Sequence, residues 1–427
     1  MIKTAIRAVH GRRVWDSRGR PTVEAEVTLA GGAFGRAIAP AGASMGSGEA
    51  VDLRDGGARL GGFDVSRAVG HVGGEIGWAL MDLDAEDQAA VDQRLIELDG
   101  TPNKGRVGGN ALIAVSMAVA HAAAAAAGLP LWRYLRGGEA AELPLPEIQI
   151  LGGGAHAHSR VDIQDFMVMA PGAASFAEAL EWTAEVYRAA GEMLAEAGKL
   201  QGIADEGGYW PAFESNEEGL EILLRAIERA GYRPGEQVAI SLDIAASEFG
   251  KDGRYRLALE GRELDSDGMA EMLSGWLGRY PIVSIEDPLA EDDTKGMRAF
   301  TSAEGGRVQI VGDDFVVTDA RRIEAAAADG ACNTALIKPN QAGTLTETRA
   351  AVEAARAAGW GAIVSARSGE TEDVTIVHLA VGWGVPQLKV GAFARSERMA
   401  KWNEGLRIEE ALSGAARFAA GRGLGRG

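Results

Sequence analysis

The sequence predicts an α/β protein whose C-terminal part folds as a barrel of parallel strands. Short apolar, β-branched runs each end in a charged residue, and segments of helical composition separate them. These runs are 238–243, 281–286, 308–313, 334–338, 361–367 and 387–389. Their terminal charges lie 43, 27, 25, 29 and 22 residues apart. A strand with its returning helix needs about 30 residues in such a barrel, so the spacing fits.

An open, doubly wound sheet is the rival architecture because it shows the same alternation. It is disfavoured, since no Gly-x-Gly-x-x-Gly segment opens a helix after a first strand. The stretches 320–329 and 345–358 have the helical composition expected of connecting helices. The sequence Leu-Pro-Leu-Pro at 143–146 marks a plausible boundary. We therefore expect two domains, residues 1–138 and 139–427.

The N-terminal part reads as a strand-rich start followed by helices. Residues 22–29 alternate apolar and polar positions, as a half-buried strand does. A glycine-rich loop at 39–47 precedes a helical pattern at 49–54, and a long apolar helix is predicted over 110–128. The glycine-rich tail after Ala415 is expected to fray.

Composition limits the classes of partner. The 427 residues carry a formal net charge of −18, which repels phosphate backbones and anionic lipid, so nucleic acid and membranes are poor partners. The N-terminus lacks the apolar run of a signal peptide, and no stretch has the roughly 18 apolar residues of a membrane span. Cys332 is the only cysteine, which excludes an intrachain disulfide. A cytoplasmic location is expected.

Charged residues close the predicted strands in an ordered series. Three acids come first and three bases follow: Asp243, Glu286, Asp313, Lys338, Arg367 and Lys389. One such charge usually marks only where a strand reaches solvent. The carboxyl ends of barrel strands, however, meet on one face that carries the active site, so six charges sorted by sign indicate a functional site.

The residue types indicate a particular chemistry. Three carboxylates without cysteine or clustered histidine favour a hard, oxygen-binding ion such as Mg²⁺. The three cations would hold an anionic substrate and stabilise charge that develops on it. A lysine among cations and metal has a lowered pKa and can act as a general base. The set therefore predicts removal of a proton next to a substrate carboxylate.

Long segments that contain these residues resemble the enolase family over residues 1 to about 412. They are 16–24 (DSRGRPTVE), 42–54 (GASMGSGEAVDLR), 205–208 (DEGG), 284–293 (SIEDPLAEDD), 309–314 (QIVGDD), 336–348 (LIKPNQAGTLTET), 368–373 (SGETED) and 394–401 (ARSERMAK). The resemblance implies a modified (β/α)8 TIM-type barrel preceded by a smaller α+β N-terminal domain. It also implies two Mg²⁺ ions per site and a homodimer, with an octamer left open.

The resemblance assigns the metal and substrate ligands. Asp243, Glu286 and Asp313 would bind the first Mg²⁺, with Glu286 and Asp313 also lining the substrate site. Ser44 would bind a second Mg²⁺ that arrives with substrate, although serine is also common in turn-rich loops. Lys389 resembles the cation that binds the substrate carboxylate.

The resemblance also assigns the catalytic groups and the phosphate ligands. Lys338 resembles the base, and Glu206 the acid that protonates the leaving hydroxyl. Gln164 and Asp165 would lie beside that acid, and His156 would close over the substrate. Arg367 and Ser368 resemble the phosphate-binding pair. The remaining histidines, His10, His71, His121, His158 and His378, are interpreted as ordinary surface or core side chains.

The sequence departs from the family at three places. The family's Ser-His-Arg-Ser-Gly has Ala366 in place of histidine, and its Gln-Glu-Phe has Asp165 in place of glutamate. In the glycine-rich loop, Met45 replaces threonine and Gly48 replaces a large basic residue. A positioned acid–base group contributes about 10²–10⁴-fold to a rate. The half of the site that handles the leaving group and phosphate therefore looks altered, whereas the half that binds the carboxylate looks intact.

These departures predict a specialised paralogue whose substrate resembles 2-phosphoglycerate but carries a modified or larger phosphorus group. Enzymes similar to carboxyphosphonoenolpyruvate synthase, in phosphonate and phosphinate antibiotic pathways, fit this description. A housekeeping enolase of glycolysis that tolerates its substitutions is the alternative. A catalytically weak scaffold or surface-binding protein is a second alternative, which the intact acids and lysines disfavour. A carbohydrate-acid dehydratase is disfavoured because the long motifs match enolase proper.

Overall fold

The computed structural model describes residues 2–43, 46–138 and 140–424. The N-terminal part contains an antiparallel three-stranded sheet in the order β1-β2-β3. Its strands are β1 (Ile6–Trp15), β2 (Pro21–Leu29) and β3 (Phe34–Ile38). The central strand β2 is almost entirely buried because β1 and β3 cover its edges and a helix covers one face.

Five α-helices lie in the described residues of this part of the protein. They are α1 (Ser66–His71), α2 (Gly77–Leu80), α3 (Gln88–Asp99), α4 (Gly109–Ala126) and α5 (Leu131–Arg136). Helix α4 is apolar enough to cross a membrane by length and composition, but 83% of that window is buried inside the protein. It packs so closely on β3 that a Cβ at Gly35 would lie 2.1 Å from the carbonyl oxygen of Ala118. Helix α4 is therefore a core helix.

Eight strands close the C-terminal barrel. They are β5 (Leu145–Gly152), β6 (Asp165–Met169), β9 (Ala239–Asp243), β13 (Ile282–Glu286), β14 (Gln309–Gly312), β15 (Thr334–Ile337), β16 (Gly361–Ser365) and β17 (Gln387–Gly391). Strand β6 runs antiparallel to both neighbours, and β17 closes the ring by pairing in parallel with β5. The predicted α/β class, a modified barrel after a small α+β domain, is confirmed, and each predicted run lies on a barrel strand.

Helices surround the barrel, and short additional strands lie outside its ring of eight strands. The helices are α6 (Phe176–Glu196), α7 (Glu217–Arg229), α8 (Ser266–Arg279), α9 (Thr294–Glu304), α10 (Ala320–Asp329), α11 (Pro339–Ala342), α12 (Leu345–Ala357), α13 (Thr375–Trp383) and α14 (Ser396–Leu412). The short strands are β4 (Glu142–Leu143), β7 (Leu200–Ile203), β8 (Tyr209–Pro211), β10 (Gly250–Lys251), β11 (Arg254–Leu257), β12 (Arg262–Asp265) and β18 (Arg417–Phe418).

Two local predictions were wrong. The helical pattern at 49–54 is not a helix, because its backbone bonds to distant segments: Ala50 N donates to Gln341 O at 2.8 Å and Val51 N to Asn103 O at 2.8 Å. The described part of the tail does not fray either. Strand β18 pairs with β4, and Leu424 packs on Leu145 beneath the barrel.

Candidate active site

The carboxyl ends of the barrel strands bring the predicted acids and bases together. Asp243 ends β9 and Glu286 ends β13, and the two are paired in register across these parallel strands. Asp313, Lys338 and Arg367 follow the ends of β14, β15 and β16, whereas Lys389 lies within β17, two residues before its end. All six side chains are buried. Because isolated charges are costly to bury, they must compensate one another.

Lys389 lies between two of the predicted metal ligands. Its Nζ is 2.8 Å from Oδ2 of Asp243 and 2.8 Å from Oε2 of Glu286, and Nε2 of Gln164 also donates to Asp243 Oδ2 at 3.0 Å. Burial acts to lower the pKa of Lys389, but the two carboxylates outweigh it and raise this pKa well above its ordinary value. Lys389 is therefore held in its protonated, ammonium form.

Lys338 forms a short ion pair with Oδ2 of Asp313, whose other oxygen accepts from Gln341 Nε2 at 2.9 Å. Burial favours a lower pKa for Lys338, but Asp313 and then Glu286 outweigh it, so the pKa is raised. The lowered pKa predicted for a lysine beside bound metal stays a prediction, because among the side chains alone a carboxylate is the strongest charged neighbour. A cation bound by Asp313 would oppose this effect.

The acids fit a divalent cation. Glu286 Oε1 is buried and has no hydrogen-bond partner, and burial followed by the charge of Asp243 raises the pKa of Glu286 well above its ordinary value. Such an oxygen, in a set made only of carboxylates, suits Mg²⁺. Asp243, Glu286 and Asp313 are the residues that would hold it.

Asp313 also belongs to a second group of carboxylates, whose oxygens lie closer together than those of the predicted metal ligands. Oxygens of Asp287, Asp313 and Asp314 come within 4.8 Å of one another. Within the described residues, the predicted set of Asp243, Glu286 and Asp313 does not form so compact a group. The oxygens of Asp287, however, accept the backbone N–H groups of Asp313 at 2.9 Å and Asp314 at 2.8 Å. Asp287 therefore fixes the end of β14 and is a poorer metal ligand.

His156 lies at the centre of the acid side of the site, the part predicted to protonate the leaving hydroxyl through Glu206. Its Nδ1 lies 3.1 Å from Asp165 Oδ1, and its Nε2 lies 3.7 Å from Glu206 Oε1 and 3.2 Å from Ser368 Oγ. Burial opposes its protonation, but Asp165 and Glu206 outweigh burial and raise the pKa of His156 to about 9. The structure thus brings His156, Asp165 and Glu206 together with Ser368, one of the two predicted phosphate ligands.

Gln149 connects this acid side to the turn that carries Glu206. Its Nε2 donates to Asp165 Oδ1, and its Oε1 accepts from Gly208 N at 2.7 Å. The turn needs glycine, since Gly207 has φ +95° and a Cβ there would lie 2.5 Å from Ala394 O. The positions of Asp165 and Glu206 are therefore set jointly.

Arg367 joins the barrel to the N-terminal loop. Its Nη1 lies 3.0 Å from Glu49 Oε2 and donates to Asn340 Oδ1 at 3.0 Å. Glu49 Oε1 also accepts from Gly46 N at 3.0 Å. The predicted second metal ligand, Ser44, lies outside the described residues. Arg367, a predicted phosphate ligand, is thus held by an acid from the other domain.

Comparison with protein-family models matches two parts of the chain. Residues 6–135 match the enolase N-terminal domain, and residues 140–425 match the enolase C-terminal TIM barrel domain. The chain belongs to the enolase family. The enolase family consists of carbon–oxygen hydro-lyases that are typically Mg²⁺-dependent and act on a small phosphorylated acid. The protein is accordingly an enzyme of this class.

Several residues of this enolase-family site were missed by sequence reasoning. They are Glu49, Glu147, Gln149, Asp287, Asp314 and Gln341. A signal existed for two of them, because Glu147 and Gln149 alternate with apolar residues on β5 and so point to the same face. Glu49 and Gln341 lie in irregular segments or a short helix, where sequence shows no orientation.

The main departure from the family pattern is itself buried. Ala366 is 6% exposed, and its backbone N donates to Lys389 O at 2.9 Å. Its methyl group offers no proton donor or acceptor beside Arg367 and Ser368. The site therefore contains the predicted metal ligands and both lysines but has an apolar position next to the predicted phosphate ligands.

Proposed function

We propose that the protein is a Mg²⁺-dependent lyase that forms an enol ester from an acid resembling 2-phosphoglycerate. The observation that carries this proposal is the convergence of Lys338 and Lys389 with the buried acids at one end of the barrel. Two lysines paired with different members of a carboxylate cluster suit one role in proton removal and one in anion binding.

The bound cation would neutralise charge that develops on the substrate carboxylate. Lys389 holds and orients that carboxylate. Lys338 Nζ must first lose its own proton to solvent, which a cation bound by Asp313 would favour by opposing the ion pair; the neutral amine then accepts the proton from the adjacent carbon. On the opposite side, Glu206 donates a proton to the leaving hydroxyl, with His156 and Asp165 fixing its position. Arg367 and Ser368 bind the phosphorus group.

The finer proposal is a specialised paralogue similar to carboxyphosphonoenolpyruvate synthase. Ala366 supports it, because a methyl group beside Arg367 and Ser368 leaves more room than the family's histidine and removes a titratable group. Asp165 also supports it, because its side chain is shorter than the family's glutamate and lies in the same half of the site. We further propose the cytoplasm as its location and a homodimer, or an octamer, as its assembly, with domains at 1–138 and 139–427.

A housekeeping enolase is the second candidate. The contacts of His156 with Asp165, Glu206 and Ser368 favour it, because they keep an acid network beside the leaving-group position despite the shortened acid. The two candidates differ in how efficiently the leaving group departs after proton removal.

The deciding experiment measures two steps with 2-phosphoglycerate and Mg²⁺. Exchange of the carbon-bound proton with solvent deuterium reports the action of Lys338, and phosphoenolpyruvate absorbance reports elimination. The specialised enzyme should exchange the proton but eliminate slowly, and Ala366→His with Asp165→Glu should restore elimination by 10²-fold or more, as about 10²–10⁴-fold is typical of an acid–base group. Ordinary turnover by the unmodified protein would instead establish the housekeeping enzyme.

A further inference from the structure

Glu147 is a buried acid that the proposed reaction does not use. It is 1% exposed and lies on β5, directly opposite Lys389 in the parallel pairing of β5 with β17. Paired residues of neighbouring strands place their side chains on the same side of the sheet. Lys389 points into the barrel toward Asp243, so Glu147 also points into the barrel.

Glu147 lies one layer beneath the predicted metal ligands. One of its oxygens accepts a hydrogen bond from Ser241 Oγ, and Ser241 is two residues before Asp243 on β9, on the same face of that strand. The other oxygen, Oε2, is buried and has no partner. Leaving a buried acceptor without a partner is unfavourable, so we expect Oε2 to accept a hydrogen bond in some state of the enzyme.

Lys389 is the group that will need such an acceptor. Its ammonium shares the carboxylates of Asp243 and Glu286, the same acids that would bind Mg²⁺. A divalent cation on those acids displaces the ammonium by charge repulsion and by competition for oxygen. Lys389 is buried as well, and a buried ammonium without a counter-ion is strongly unfavourable.

We propose that Glu147 is the positioning carboxylate of Lys389, to which its ammonium passes when the metal-ligand acids bind Mg²⁺. Burial raises the pKa of Glu147 and Lys389 opposes this shift, so an approaching ammonium favours the carboxylate form. Asp165 Oδ2, 3.9 Å from Lys389 Nζ and likewise without a hydrogen-bond partner, is the competing acceptor. Asp165 Oδ1 contacts His156 and Gln149 on the side of the site that holds Glu206, whereas Glu147 is bonded to Ser241 beneath the predicted metal ligands.

The inference rests on the proposed function only in taking Asp243 and Glu286 as metal ligands. The test is therefore the dissociation constant of Mg²⁺, measured by calorimetry on the full chain without substrate and at one pH. Glu147→Gln should weaken Mg²⁺ binding by about tenfold, within the range of typical site-to-site coupling. Glu147→Gln made in the Lys389→Met variant should have little effect on Mg²⁺ binding, because that variant has no ammonium that needs a new partner.

Together, Glu147→Gln, Lys389→Met and the variant that carries both form a double-mutant cycle. It separates a role of Glu147 through Lys389 from a direct effect of the negative charge of Glu147 on Mg²⁺. An equal weakening by Glu147→Gln with and without Lys389 would overturn the proposal, and so would no weakening at all. Glu147→Asp keeps the charge but shortens the side chain by one methylene, so it should weaken Mg²⁺ binding to an intermediate extent, and only when Lys389 is present. It replaces Glu147→Gln if that variant does not fold. Absence of Mg²⁺ binding by the unmodified protein would overturn the proposed function together with this inference.

Discussion

His156 Nδ1 lies 3.1 Å from Asp165 Oδ1, and both side chains are buried beside the barrel mouth. The pair is charged in the native state: burial opposes the charge on each group, but Asp165 raises the pKa of His156 to about 9 and His156 lowers the pKa of Asp165. The stability of the protein should therefore depend on the charge of His156.

His156→Gln should destabilise the protein most at low pH. Because the native pKa of His156 is raised from 6.5 to about 9, its stabilisation is fully present below 6.5 and is lost as the pH rises through about 9. The difference amounts to about 3 kcal/mol at most. Melting temperatures of the two proteins across this range should converge with increasing pH. His10→Gln, at an exposed position, is the matched control; a constant difference for His156→Gln would contradict the prediction.

Lys338→Ala should strongly slow proton exchange. Without the base, exchange of the carbon-bound proton of 2-phosphoglycerate with deuterium should fall by about 10²–10⁴-fold. Nuclear magnetic resonance of the substrate measures this rate directly. Lys295→Ala changes an exposed lysine of α9 and should exchange like the unmodified protein. Undiminished exchange in Lys338→Ala would assign the base to another residue.

Mg²⁺ should stabilise the folded protein through Asp243. A ligand that binds only the native state at about 100 times its dissociation constant contributes about 2.7 kcal/mol, which appears as a higher melting temperature that chelation reverses. Asp243→Asn should remove most of this increase. Asp329→Asn alters an exposed acid at the end of α10 and should retain it. An equal increase in both variants would place the ion elsewhere.

His378 should make the protein less stable in mild acid. Burial, together with the neighbouring His121, lowers the pKa of His378 from 6.5 to about 4. The unfolded chain then binds a proton more readily, so stability should fall as the pH decreases from 6.5 to about 4. His378→Leu should flatten this part of the profile in melting experiments, with His10→Gln again as the control. Persistence of the full decrease in His378→Leu would assign it to other groups.

The barrel and the position of the site could be predicted because both have a local signature. A parallel strand buried on both faces leaves a short apolar run, and the charge after each run had to lie at the carboxyl end. That reasoning placed Asp243 and Lys338 correctly at the same end of the barrel. The match to both enolase domains bears out the family, whereas the individual roles of these residues remain predictions.

The features that could not be predicted from the sequence depend on contacts between residues that are far apart in the chain. The helical composition of 49–54 was overridden by backbone bonds to Gln341 and Asn103. The raised pKa of Lys338 follows from its ion pair with Asp313, a distance that no spacing reveals. Glu147 had a visible alternating pattern on β5, but its importance appeared only with Lys389 opposite it.

The pairing of β5 with β17 also bears on how the chain is made. The first barrel strand lacks one neighbour until the last one has left the ribosome, so β5 presents an open edge throughout most of synthesis. Lys389 arrives on that final strand, and until then Asp243 and Glu286 have no ammonium between them. A chain that ends before residue 387 therefore has an unpaired β5 edge and no ammonium between Asp243 and Glu286, and such an open edge favours pairing with strands of other chains.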